Sequence, residues 1–177
     1  MLSIIIPSIN RSEFLIRLLK YFYKIECKHL IYIGDSSNLY HFSQTKEAIK
    51  LLRYRLKVIQ MNHNGLNDWE STISILIQVE TKYCVFFPDD NFIVPENMTK
   101  CIQFLELNTD YVAAHGIGVT ILLKNEGPYG QIKRINYYPQ PIIETNTATT
   151  RLINYLKSYS VAMFSVFRFF EHISLLK

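Results

Sequence analysis

The feature that most restricts how this chain can fold is an order of elements met four times in succession. A short apolar run is followed by a cluster of turn-forming polar residues, and then by apolar positions at helical spacing. Residues 2–6 are an Ile-rich run closed by Pro7, which predicts a buried strand. Asn10, with Glu13 three residues on, predicts a capping box opening a helix whose apolar side is Phe14, Leu15, Leu18, Leu19 and Phe22. Residues 30–33 predict a second strand, stopped by Gly34-Asp35-Ser36-Ser37-Asn38, and a weaker helical pattern covers 42–52. A third strand is expected at 56–61, broken by Asn62-His63-Asn64-Gly65, before a helix carrying Trp69, Ile73, Leu76 and Ile77 on one side. A fourth is expected at 83–87, broken by Pro88-Asp89-Asp90-Asn91, before a helix opened by Pro95 with Met98, Ile102 and Leu105 inward.

Four such units predict an α/β layer fold with a largely parallel central sheet flanked by helices. In these sheets ligands lie beyond the carboxyl ends of the strands. The four polar clusters, Pro7-Ser8-Ile9-Asn10, Asp35-Ser36-Ser37, Asn62 to Gly65 and Asp89-Asp90-Asn91, are therefore expected along one edge. Beyond residue 110 the pattern weakens. A β-prone run at 111–123 is interrupted by Gly116 and Gly118, and 124–140 reads as a loop with a hairpin. A short helix is expected at 149–156, a buried strand at 161–167 and the beginning of a helix at 169–177.

Length and composition narrow the class. With 177 residues the chain suits one domain. A hydrophobic content of 49% excludes a disordered chain. No run approaches the roughly 18 apolar residues of a membrane span, and the run after Met1 is too short for a signal peptide. Cys27, Cys84 and Cys101 show neither a disulfide framework nor zinc-ligand spacing, which favours a reducing, cytoplasmic setting. The net charge of +4 is too mild to indicate nucleic acid, and none is expected as a partner. Its distribution is uneven, since residues 58–110 carry eight acidic against two basic side chains while the flanking segments are basic. That pattern fits solvated helix faces, or an acidic centre for a cation between segments that face phosphates.

The chemistry concentrates at Asp89 and Asp90. Adjacent carboxylates repel each other, and a divalent cation with a preference for hard oxygen ligands, Mg²⁺ or Mn²⁺, resolves that repulsion. The alternative is a plain Pro-Asp-Asp-Asn turn opening a helix. Asp35 can accept hydrogen bonds from a ribose or base edge, or stabilise its own turn through Ser36 and Ser37. Asn64-Gly65 is first a turn signal, because Gly65 takes a positive φ without strain. His115 falls late in an expected strand, within reach of the same edge or as a sheet histidine. Trp69 is most simply a packing residue. Residues 7–11 contain no glycine, which argues against a dinucleotide-binding dehydrogenase or a P-loop enzyme.

In order and spacing these clusters resemble the amino-terminal part of a family 2 glycosyltransferase of the GT-A fold. Residues 2–10 are similar to the family's opening strand and its Pro-x-Tyr-Asn turn, with Ile9 where Tyr is usual. Residues 33–37 resemble its acidic second-strand end, 62–65 its Asn-x-Gly turn, and 86–95 its Asp-x-Asp segment with the helix-opening proline. Pro88 falls where many members have the first Asp, and Asn91 where many have a final acid. The resemblance implies a single Rossmann-like GT-A domain over 1–177, with a nucleotide-sugar half at 1–110 and a partial acceptor-side half at 111–177. It implies that Pro7, Ser8, Ile9, Asp35, Asn64, Gly65 and Asp89 border a nucleotide-sugar, of the UDP type, and that Asp90 with Asp89 holds Mn²⁺ or Mg²⁺. It further implies a glycan or lipid-linked acceptor in bacterial envelope polysaccharide synthesis, in the cytoplasm or against the inner membrane face. The late acids Glu126, Glu144 and Glu171 lie in no motif, so the catalytic base stays unassigned and the acceptor side is expected to be short. The alternatives are an inactive GT-A domain that binds a nucleotide-sugar or a protein, and a nucleotidyltransferase.

Overall fold

The computed structural model describes residues 1–169, so Glu171 and all but the first residue of the helical pattern expected at 169–177 lie outside the described residues. The first four strands are β1 (Ser3–Ser8), β2 (Leu30–Asp35), β3 (Lys57–Asn62) and β4 (Tyr83–Phe86). The next two are β5 (Ala113–Ala114) and β6 (Gly118–Leu123), followed by β7 (Ile132–Tyr138) and β8 (Val166–Arg168). Six of these form one sheet in the order β3-β2-β1-β4-β8-β5, and β6 pairs with β7 as a separate hairpin. The first four are mutually parallel and β8 runs antiparallel to both its neighbours, so the expected largely parallel sheet is present.

The helices are α1 (Ser12–Lys24), α2 (Leu39–Leu52), α3 (Asp68–Leu76), α4 (Pro95–Leu107) and α5 (Ala148–Lys157). Alternation along β1 divides the core. Ile4 and Ile6 join Leu15, Leu18 and Phe22 of α1 and Met98 of α4 on one face. Ile5 joins Ile75 and Leu76 of α3 on the other. A strand buried on both faces needs a continuous apolar run, and residues 2–6 supply it.

Several local expectations are revised. No capping box opens α1. Asn10 instead takes φ 53°, a region asparagine tolerates, and α1 begins after Arg11 without a side-chain cap. The freed Asn10 Oδ1 accepts the Asn38 N–H at 3.0 Å and its own N–H donates to Ser37 Oγ at 2.7 Å, tying the loops after β1 and β2 together. A capping box does form at α3, between Asn67 and Glu70. The run at 111–123 splits at its glycines into β5 and β6, and the expected strand at 161–167 becomes a 3₁₀ turn, Ala162–Phe164, followed by β8. Among the described residues no helix is long and apolar enough to cross a membrane.

Two buried histidines give the fold a pH dependence. Burial lowers the pKa of His29 and of His63, in the second case against the opposing charge of Asp35. The unfolded chain takes up protons near the ordinary value of 6.5 and the native chain only below it. This stability is complete above that value and is lost as pH falls through the native ones. Urea midpoints are expected to fall between about pH 7 and pH 5, and the His29→Gln/His63→Gln double variant to flatten that fall. An equally steep fall in the variant would place the dependence elsewhere.

Candidate functional site

β1 lies between β2 and β4, so the chain turns to opposite sides of the sheet from this point. The ladder from β1 to β2 runs to Ser8↔Asp35, whereas that from β1 to β4 ends at Ile5↔Phe86. Beyond Ile5 the two strands part, as expected at the switch point of an α/β sheet, where ligands bind. Pro7 fits there because its missing N–H is not called on by β4.

Asp89 and Asp90 stand on the β4 side of this gap, in a turn closed by the Asn91 N–H on Pro88 O at 3.3 Å. Ser8 Oγ donates across the gap to Asp89 Oδ2 at 2.7 Å. Arg11, from the loop after β1, places Nε 3.3 Å from Asp89 Oδ1 and Nη2 3.0 Å from Asp90 Oδ2. The guanidinium thus straddles both carboxylates. Asp89 is buried, and this burial pushes its carboxyl up in pKa, opposed by the Ser8 hydrogen bond and the Arg11 charge. The Asp90 side chain is 42% exposed and faces solvent. Arg17 of α1 lies behind, donating to Asp90 O at 2.8 Å and to Pro128 O at 2.7 Å.

An open groove of about 430 Å³ runs along the gap, with Pro7, Ile9, Arg11, Trp69, Pro88 and Asp89 in its walls. Ser8 lines it as well. Asp35 does not. Its Oδ1 accepts the Ser37 N–H at 3.1 Å and its Oδ2 the Gln60 side chain at 2.9 Å, which is the turn-stabilising role. Asn64 donates its N–H to Asn62 Oδ1 at 3.1 Å and Gly65 takes φ 89°, so this pair forms the turn after β3 without lining the groove. His115 follows β5, with Nδ1 3.2 Å from Gly116 O, and is not part of the groove either. Gly34 has another use: a Cβ there would sit 2.2 Å from Ser71 Oγ, so glycine lets α3 approach the sheet.

Among the described residues no three acidic, histidine or cysteine side chains gather as a metal cage. The donor set fits a different mode, in which a hard cation takes one or two carboxylates and completes its shell with phosphate and water. Asp90 offers such an oxygen once Arg11 releases it. Arg11, Arg17 and Trp69 were not expected here. The two arginines were countable as charge only, and Trp69 was expected to pack against its helix neighbours, yet it is 58% exposed.

No protein-family model matches this sequence, and no curated protein does. Solved structures do. The crystal structure of residues 1–349 of TarS from S. aureus matches with TM-score 0.60 at 20% identity, over 95% of this chain and 47% of that one. The same fragment in complex with UDP-GlcNAc matches with TM-score 0.60 at 20% identity, over 95% and 45%. A CMP:2-keto-3-deoxy-manno-octonic acid synthetase complexed with CTP matches with TM-score 0.51 at 12% identity, over 99% and 78%. These likenesses define the class of fold: a single α/β domain with a mostly parallel six-stranded sheet flanked by helices, matching the Rossmann-like GT-A type. The chain spans about half the length of the TarS fragment.

Proposed function

We propose that the chain is a nucleotide-sugar-dependent glycosyltransferase domain that transfers a sugar from a UDP-type donor to an acceptor hydroxyl. The observation that carries this reading is the Asp89–Asp90 pair, straddled by Arg11, at the point where β1 and β4 part beside an open groove. The TarS fragment has been solved with UDP and with UDP-GlcNAc, which supports the same ligand class for this fold. The CTP-bound synthetase has the lower TM-score, and the chain lacks a glycine-rich loop after β1, so nucleotidyl transfer is the weaker reading.

In this reading the nucleoside diphosphate lies along Pro7, Ser8, Ile9 and Asp89, with Asp35, Asn64 and Gly65 shaping the loops beside it. Ser8 holds Asp89 in place, and Arg11, drawn off the carboxylates, faces the diphosphate oxygens. Asp90 and Asp89 are the residues that would hold Mn²⁺ or Mg²⁺, which would neutralise charge on the departing diphosphate. The acceptor hydroxyl attacks the anomeric carbon, the carbon–oxygen bond to the diphosphate breaks, and the hydroxyl proton passes to a base. The base stays unassigned: the late acid Glu144 accepts the Tyr111 hydroxyl at 2.6 Å and does not line the groove. The acceptor class we assign is a glycan or lipid-linked glycan of a bacterial envelope polysaccharide.

The test is nucleotide release from a panel of UDP-sugars with Mn²⁺, with and without glycan acceptors. Release above the enzyme-free rate, lost in Asp90→Ala, is expected. Absence of both release and UDP binding would overturn the assignment.

A further inference from the structure

Trp69 occupies the first turn of α3, where Asn67 Oδ1 accepts its N–H at 3.0 Å and the capping box fixes the backbone. The capping geometry therefore sets where the indole starts. An indole 58% exposed leaves much apolar surface in water, and among the described residues no aromatic ring or cation stacks on it. Its location is not an arbitrary surface. It shares one groove with Pro7, Ile9 and Pro88, and with the charged groups Arg11, Asp68 and Asp89. Ile9 is likewise 48% exposed there. The groove thus combines apolar walls, one of them a flat π-surface, with a guanidinium held over carboxylates.

A nucleoside diphosphate combines the same two chemistries, a flat base and a polyanionic tail. We infer that Trp69 is the platform on which the nucleobase of the donor stacks, Pro7 and Ile9 completing the apolar surface, while Arg11 and the Asp89–Asp90 turn fix the diphosphate. This inference rests on the donor site proposed above and adds the side chain that receives the base. Stacking on an aromatic side chain tolerates any base, because every base has a π-face. Trp69 therefore contributes affinity for the nucleoside and leaves base identity to other groups.

Trp69 is the sole tryptophan, so emission excited at wavelengths that the twelve tyrosines do not absorb reports on this position alone. UDP titrated into the full chain is expected to change that emission with the same Kd that calorimetry gives, and UDP-sugars to do so equally. Trp69→Ala is expected to weaken UDP about 5- to 150-fold, with Trp69→Phe retaining most of the affinity and inorganic pyrophosphate bound equally by all three proteins. UDP binding by calorimetry with unchanged emission, and with Trp69→Ala at wild-type affinity, would overturn the platform and leave the donor site standing. An emission change with UDP-sugars but not with UDP would assign the indole to the sugar and overturn the inference. No binding of UDP by the wild-type chain would remove the donor site and the platform together.

Discussion

Asp90→Ala is expected to lower the rate of nucleotide release from UDP-sugars by about 100-fold or more, with little change in melting temperature. The two effects separate because of where the carboxylate lies. Its side chain is 42% exposed and its partners are Arg11, at 3.0 Å, and the Asn91 side chain, at 3.2 Å. An exposed pair of this kind is worth about 0–1 kcal/mol to the fold, so its loss is nearly silent in stability. In the proposed reaction the same carboxylate would act only through the divalent cation it holds, which would offset the negative charge growing on the departing diphosphate. One preorganised electrostatic group of that kind is worth about 3–4 kcal/mol. Because that contribution belongs to the transition state, the loss should fall on kcat more than on KM. Rates from initial velocities and melting curves on the same preparations check both halves. A variant that releases nucleotide at the wild-type rate would take Asp90 out of the reaction.

The largest effect on stability is expected at Arg168, far from any chemistry. Its guanidinium is buried and gathers four acceptors from three parts of the chain. Nε donates to Tyr111 O at 2.8 Å and Nη1 to the Tyr83 hydroxyl at 3.3 Å, while Nη2 donates to Leu105 O and, at 3.2 Å, to Asn108 O. Leu105 and Asn108 belong to the end of α4, where carbonyls have no partner within the helix and the dipole favours a cation. Arg168→Ala would strand these carbonyls in a buried setting. Urea denaturation should show a loss of about 3 kcal/mol or more. Arg168→Lys should recover only part of it, since one ammonium cannot span the same acceptors as a planar fork. A loss below about 1 kcal/mol would mean that water satisfies the exposed carbonyls.

The parts of the fold that were legible in the sequence are those carried by local chemistry. Pro88-Asp89 lies just beyond β4, whereas β1 runs on through Pro7 to Ser8, β2 through Gly34 to Asp35 and β3 to Asn62. These three pass the breaks expected at Pro7, Gly34 and Asn62, yet all four polar clusters still fall at the carboxyl ends of the strands. Pro95 likewise opens α4 as its ring requires. Where a polar residue faces the core, the pattern misled. The inward face of α3 is Ser71, Ile75 and Leu76, not Trp69, Ile73 and Ile77, because Ser71 is buried against His63, with its Oγ 2.8 Å from the ring Nδ1. A serine on the sheet-facing side shifted the apparent helical phase, and Trp69 was assigned inward when it faces the groove. The role of Arg11 was illegible for a different reason. Its pairing with Asp90 joins positions 79 apart and exists only because β1 and β4 are neighbours in the sheet. Asp35 and Asn64-Gly65 followed their local turn chemistry, the reading the sequence left open beside the ligand-binding one.

The central claim is that the gap between β1 and β4 receives a nucleoside diphosphate, and calorimetric titration of UDP into the full chain with Mn²⁺ tests it most directly. One-to-one binding that is lost in Asp89→Ala, a change that removes the carboxylate shared by Ser8 and Arg11, is the expected result. No binding by the wild-type chain, or equal binding by the variant, would contradict it.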